Sequence, residues 1–121
     1  MNDKAIFAAA FVEAALWADT PEDYEGNGDA IGLASADAQA MRDFAGKFYD
    51  ANREPIEAYP EGLHQAGSDL WFTTAGHGVG YWEQSDDASQ ALDKAARAAL
   101  PYNEGLYEGD DGLLYWLYRE A

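Results

Sequence analysis

The stretch Asp69–Glu83, reading Asp-Leu-Trp-Phe-Thr-Thr-Ala-Gly-His-Gly-Val-Gly-Tyr-Trp-Glu, constrains the fold more than any other part of the chain. Two short aromatic runs flank a glycine-rich centre, and glycine admits the positive φ that tight turns require. The pattern predicts a β-hairpin, with Leu70–Thr74 going out, Ala75–Gly78 turning and Val79–Gln84 coming back. Trp71, Phe72 and Trp82 are then expected in the core, and the glycines serve the turn.

Helical periodicity governs much of the rest. Ile6, Phe7, Ala10, Phe11, Ala14 and Trp17 recur at three- and four-residue spacing, which predicts a helix over Asp3–Trp17 capped by Asn2 or Asp3. Only Lys4 and Glu13 are charged in its body, so it is either deeply buried or also touches a partner. Pro21, Gly26, Gly28 and Gly32 break both periodicities and make Ala18–Ala34 an acidic loop. Ser35 caps a second helix with the stripe Met41, Phe44, Ala45 and Phe48, which ends or kinks before Pro55. Ser85, Asp86 and Asp87 offer caps for a third helix reaching Leu100. A last hairpin follows, Gly105–Glu108 and Leu113–Tyr118 around Gly109-Asp110-Asp111-Gly112. The expected fold class is α+β: two N-terminal helices followed by ββαββ, a four-stranded antiparallel sheet with packed helices, in a single domain over 1–121.

Charge sets the function classes. Among 121 residues there are 23 acidic and 7 basic ones, a formal net charge of -16. That exceeds the magnitude of about 2–8 that keeps a small domain in solution. Such a field repels nucleic acid and anionic membrane surfaces and draws in basic partners. The chain has no cysteine, which removes disulfides, thiolate zinc sites and cysteine nucleophiles. The apolar run Ala5–Val12 is too short to span a bilayer and has no signal-peptide flank, so a cytoplasmic location is expected.

The candidate catalytic patterns are weak. Gly76-His77-Gly78-Val79-Gly80 places its third glycine one residue too early for a dinucleotide fingerprint, and between predicted strands. The two histidines, His64 and His77, have no recognised ligand spacing with carboxylates. His77 is expected to pack beside Trp71 or Trp82 or to bond the turn backbone. Gly109–Gly112 lacks the alternating oxygens and distal Glu of a calcium loop. A non-enzymatic protein without cofactor or metal is expected.

Leu70-Trp71-Phe72-Thr73, Gly76–Glu83 and Leu106–Gly112, with Phe11–Trp17 and Met41–Phe44, together resemble a family of small acidic proteins encoded by bacteriophages and plasmids. The chain departs from it at Thr74-Ala75-Gly76, where relatives carry a basic residue and Asn-Gly, so no role falls to a basic turn residue. That family has no established chemistry, and the resemblance implies a mobile-element origin and a fold.

The acids run in blocks: no basic residue lies between Lys4 and Arg42, or between Arg53 and Lys94. Duplex DNA carries about one negative charge per 1.7 Å of axis. Carboxylates at comparable density can occupy the groove that reads it. The leading expectation is therefore an anti-CRISPR or antirestriction DNA mimic that binds a basic nucleic-acid-binding host protein or complex. Its expected contacts are Asp19, Glu22, Asp23, Glu25, Asp29, Glu83, Asp86, Asp87, Glu104, Glu108, Asp110 and Asp111. The competing expectation is an accessory or oligomerising protein whose exposed aromatics make the contact. Acidic, alanine-rich composition also arises with no partner at all.

Overall fold

The computed structural model describes residues 2–121. Among the described residues are five helices and one two-stranded sheet: α1 (Asp3–Asp19), α2 (Ser35–Ala51), α3 (Arg53–Glu57), α4 (Leu63–Ala75), α5 (Asp87–Ala99), β1 (Tyr102–Glu108) and β2 (Leu114–Arg119), with a 3₁₀ turn at Tyr81–Glu83. The expected four-stranded ββαββ sheet is therefore wrong. The only sheet among the described residues is the antiparallel pair β1–β2.

The error lies in Asp69–Glu83. Leu70–Thr74 is the second half of α4, and Val79–Gln84 forms a loop and the 3₁₀ turn. Leu63, Ala66, Leu70 and Trp71 share the packed side of this helix, and both Leu70 and Trp71 are fully buried, which a half-exposed strand would not allow. Gly76 is left-handed at φ 77°, and its N–H caps the carbonyl of Phe72. Gly76 thus ends a helix where a hairpin turn was expected. Gly80 lets the returning chain lie against α4, because a Cβ there would fall 2.4 Å from Thr73 Oγ1. Tyr81 then enters the core completely.

The remaining elements follow the periodicity closely. Asn2 caps α1, its side chain accepting from Ala5 N–H at 2.8 Å. Asp86 caps α5 through Ser89 N–H at 3.0 Å. Ser35 begins α2 without a capping bond, since Ala34 occupies the cap position. The chain breaks at Asn52 and α3 carries Pro55 in its first turn, where a missing N–H costs little.

Helix α1 lies at the centre. Phe11 meets Phe44 of α2, Trp71 of α4 and Trp116 of β2 with ring centroids 5.7, 5.5 and 6.0 Å apart. The α1–α4 contact is the most extensive between helices. It depends on Gly67, where a Cβ would lie 2.3 Å from the Phe7 carbonyl oxygen and 2.9 Å from Ala10 Cβ. Burial in the core, one of the two expectations for α1, holds for Phe7, Ala8, Ala10, Phe11, Ala14 and Ala15. Trp17, at 83% exposure, is not part of it.

Gly67→Ala is expected to destabilise the protein by about 1–3 kcal/mol, since α1 must move off α4. Gly46→Ala in α2, which meets only the flexible end of Lys4 at 3.0 Å, should be neutral or stabilising. Urea unfolding of both variants checks the contrast; equal midpoints would overturn it.

Candidate functional site

The acidic loop between α1 and α2 is fixed to the hairpin. Tyr24 donates its hydroxyl to the Gly112 carbonyl at 2.7 Å and accepts from Gly32 N–H at 2.7 Å. Leu114 N–H donates to the Gly32 carbonyl at 2.8 Å, and Ala34 N–H to the Leu114 carbonyl at 2.9 Å. Gly112 sits against Asn27, where a Cβ would come within 2.4 Å of the Asn27 Cβ. Loop 20–34 and turn 109–112 thus form one surface. It carries Glu22, Asp23, Glu25, Asp29, Glu108, Asp110 and Asp111, all exposed.

These carboxylates differ in what the fold asks of them. Asp111 accepts from Leu113 N–H at 3.0 Å and from the Tyr115 hydroxyl, and the Tyr115 bond above all holds its carboxyl below the usual range. Asp110 lies beside it on the turn, and Glu104 and Glu108 are exposed on β1. Glu83, Asp86 and Asp87 are anchored separately, at the start of α5. Glu83 closes the 3₁₀ turn through Gly80 N–H at 3.0 Å. Asp86 is committed to its cap, and the Ser89 hydroxyl and N–H lower its pKa. Asp87 is exposed in the first turn of α5.

Asp19 does not belong to the loop. It is the last residue of α1 and is partly buried, and its Oδ2 accepts from Trp71 Nε1 at 2.6 Å. The same oxygen lies 2.8 Å from His77 Nε2. An ionised carboxylate only accepts, so that ring nitrogen carries the proton. His77 also meets Phe72 edge-on at 5.7 Å. Of the settings expected for His77, the structure places it beside Trp71, through the Asp19 oxygen the two share, and adds Phe72 as its aromatic neighbour. The geometry ties the ends of α1 and α4 together.

The sequence reading overlooked a buried carboxylate. Asp69, at 6% exposure, accepts from Gln65 Nε2 at 2.8 Å and from the Tyr59 hydroxyl. Tyr81 stands edge-on to Tyr59 at 5.4 Å and donates its hydroxyl to the Ala66 carbonyl at 2.5 Å. Burial raises the Asp69 pKa, and the hydrogen bonds from Tyr59 and Gln65 offset only part of that rise. Burial and the bond to Asp69 push Tyr59 upward as well. An acid immediately before Leu70-Trp71-Phe72, and four residues after Gln65, was the available signal. The expected strand begins one residue after it, at Leu70.

Among the described residues no group of three or more His, Asp or Glu side chains is placed to hold a metal ion. No helix among them is long and apolar enough to cross a membrane.

The Asp69 carboxyl titrates in the folded chain above its ordinary value of 3.8, so the folded state binds more protons between the two values. Stability therefore falls as pH rises from 3.8 through the folded titration. Asp69→Asn should flatten that fall and raise the melting temperature near pH 7, whereas Asp69→Ala should lower it by stranding the Tyr59 hydroxyl. Thermal melts from about pH 4 to about pH 7 test this. An Asn variant less stable than the parent across the whole range would contradict it.

Compared with protein-family models, curated proteins and solved structures, the chain matches none, so its chemistry rests on its own residues.

Proposed function

We propose that this is a non-enzymatic acidic protein that occupies the nucleic-acid-binding surface of a basic host protein, as a phage-type inhibitor of a defence complex would. The supporting observation is an acidic surface, fixed by loop 20–34 and the hairpin turn, into which neither segment brings a basic residue. Lys4, Arg42, Lys47 and Arg53 lie near the start of α1 and along α2 and α3, interspersed there with Asp3, Asp43, Asp50 and Glu57, and Lys4 is bonded to Asp50 at 2.7 Å. The acidic loop lies at the other end of α1, about 24 Å away at 1.5 Å per residue. There the hairpin turn adds Glu108, Asp110 and Asp111, and no basic residue lies between positions 4 and 42 or between 97 and 119. Acids of one sign on a fixed scaffold suit a basic groove better than the same acids on a floppy tail, because less conformational freedom is lost on contact.

The phosphate substitutes are narrowed by what the fold leaves free. Glu22, Asp23, Glu25 and Asp29, with Glu108 and Asp110, make the contact, and Asp111 holds the turn through Leu113 N–H and the Tyr115 hydroxyl. Glu104 extends it along β1, and Glu83, Asp86 and Asp87 form a secondary patch. Asp19 serves the scaffold. The resemblance to mobile-element proteins favours the same reading and the cytoplasm of a bacterial host as its place. A second reading, contact through aromatics, is favoured by the openness of Trp17 and Trp82, at 83% and 46% exposure.

Replacement of Glu22, Asp23, Glu25 and Asp29 by Lys tests the first reading. The parent protein should retain a nucleic-acid-binding complex from host lysate at low salt and release it to added duplex DNA or to high salt. The fourfold variant should retain none. Undiminished, salt-independent retention would rule out mimicry.

A further inference from the structure

Trp17 is not an isolated surface residue. Its ring meets Phe72 edge-on, with centroids 6.4 Å apart. The two rings close one end of an open groove of about 560 Å³ between α1 and α4. Ala14 and Ser68, at 5% and 7% exposure, lie along it between the helices. Further back along both helices Glu13 and His64 face each other at 3.3 Å. The groove thus has an apolar, aromatic end and a polar rim, the anatomy of a contact site with a central anchor.

Electrostatics select its occupant. Helices α1 and α4 finish side by side, joined by Asp19 to Trp71 and His77. Neither has a basic residue in its last turn, so two negative helix ends stand next to Trp17 and Phe72. A cation over the open indole face gains from both the ring and the helix ends. A second copy of the chain would bring another -16 of charge, which opposes self-association through this face.

We propose that the α1–α4 groove docks a basic amphipathic helix of a partner protein. The apolar stripe of that helix lies on Trp17 and Phe72, and its Lys or Arg side chains lie over the helix ends and Glu13. This contact stands on the groove alone and goes beyond the acidic pole, so the two fail separately.

A labelled synthetic helix of leucine and lysine, about four turns long, serves as the probe. A scrambled peptide of the same composition and polylysine are the controls. Fluorescence anisotropy should show the amphipathic peptide binding more tightly than the scrambled one. Trp17→Ala should weaken it by about tenfold or more while leaving polylysine binding unchanged. Trp82→Ala, an exposed indole on another element, should alter neither. Reversal of Glu22, Asp23, Glu25 and Asp29 should weaken all the cationic peptides alike and preserve the preference for the amphipathic one. Equal affinity for the scrambled peptide, or an unchanged affinity in Trp17→Ala, overturns the proposal. So does sedimentation showing a dimer that Trp17→Ala dissolves, because the occupant would then be a second copy. Trp17 is exposed, so its replacement leaves the core intact, and circular dichroism checks that the variant is folded.

Discussion

The close approach of α1 to α4 at Gly67 underlies everything else in the structure. A helix backbone normally stands off from its neighbour by the bulk of its side chains. Here the missing Cβ lets the Phe7 carbonyl and Ala10 of α1 sit almost against the α4 backbone. The small residues of α1 and the large rings of α4 then mesh, and Trp71 reaches Phe11 and Asp19 together. With α1 and α4 locked, the ends of both helices meet, and the groove closed by Trp17 and Phe72 follows from the same crossing.

The aromatic centre carries that order outward to the surface. Phe11 joins α1 to α2, α4 and the sheet, and Trp116 ties the sheet back through its ring. The backbone of Trp116 is held as well, its N–H donating to Asp37 at the start of α2 at 2.7 Å. Once β2 is fixed, residues 32–34 run alongside Leu114, and Tyr24 clamps the loop to Gly112. A long polar loop has no core of its own, and these few backbone and hydroxyl bonds give it a defined position. The acids on it are displayed at fixed places only because the sheet beneath is anchored in the core.

Much of this was legible in the sequence. The helices beginning near Asp3, Ser35 and Asp87 and the last hairpin declared themselves through repeat spacing, caps and an Asp-Gly turn. Asp69–Glu83 did not, because its Leu-Trp-Phe-Thr-Thr run favours strands locally while Leu63, Ala66, Leu70 and Trp71 also satisfy a helical repeat. Contact with α1 decided between them. Gly76 gave no help, since a left-handed glycine ends a helix as readily as it turns a hairpin. The acids of the candidate contact surface were visible as a list. Which of them the fold consumes, Asp19 and Asp86 above all, was not, because a carboxylate in sequence carries no sign of its hydrogen-bond partner.

By itself the sequence determined the charge of the chain, the absence of thiol chemistry, the apolar character of α1 and the acidity of the loop after it. These are properties of residue type and short-range spacing, which survive in any fold the chain adopts. Only the tertiary structure decided that residues 70–74 are helical, that Asp69 is buried among tyrosine hydroxyls and that loop 20–34 joins the hairpin turn. It alone left Trp17 open beside Phe72. Each of those facts depends on atoms far apart in sequence coming within contact distance, and between α1 and α4 the glycine at position 67 sets that distance.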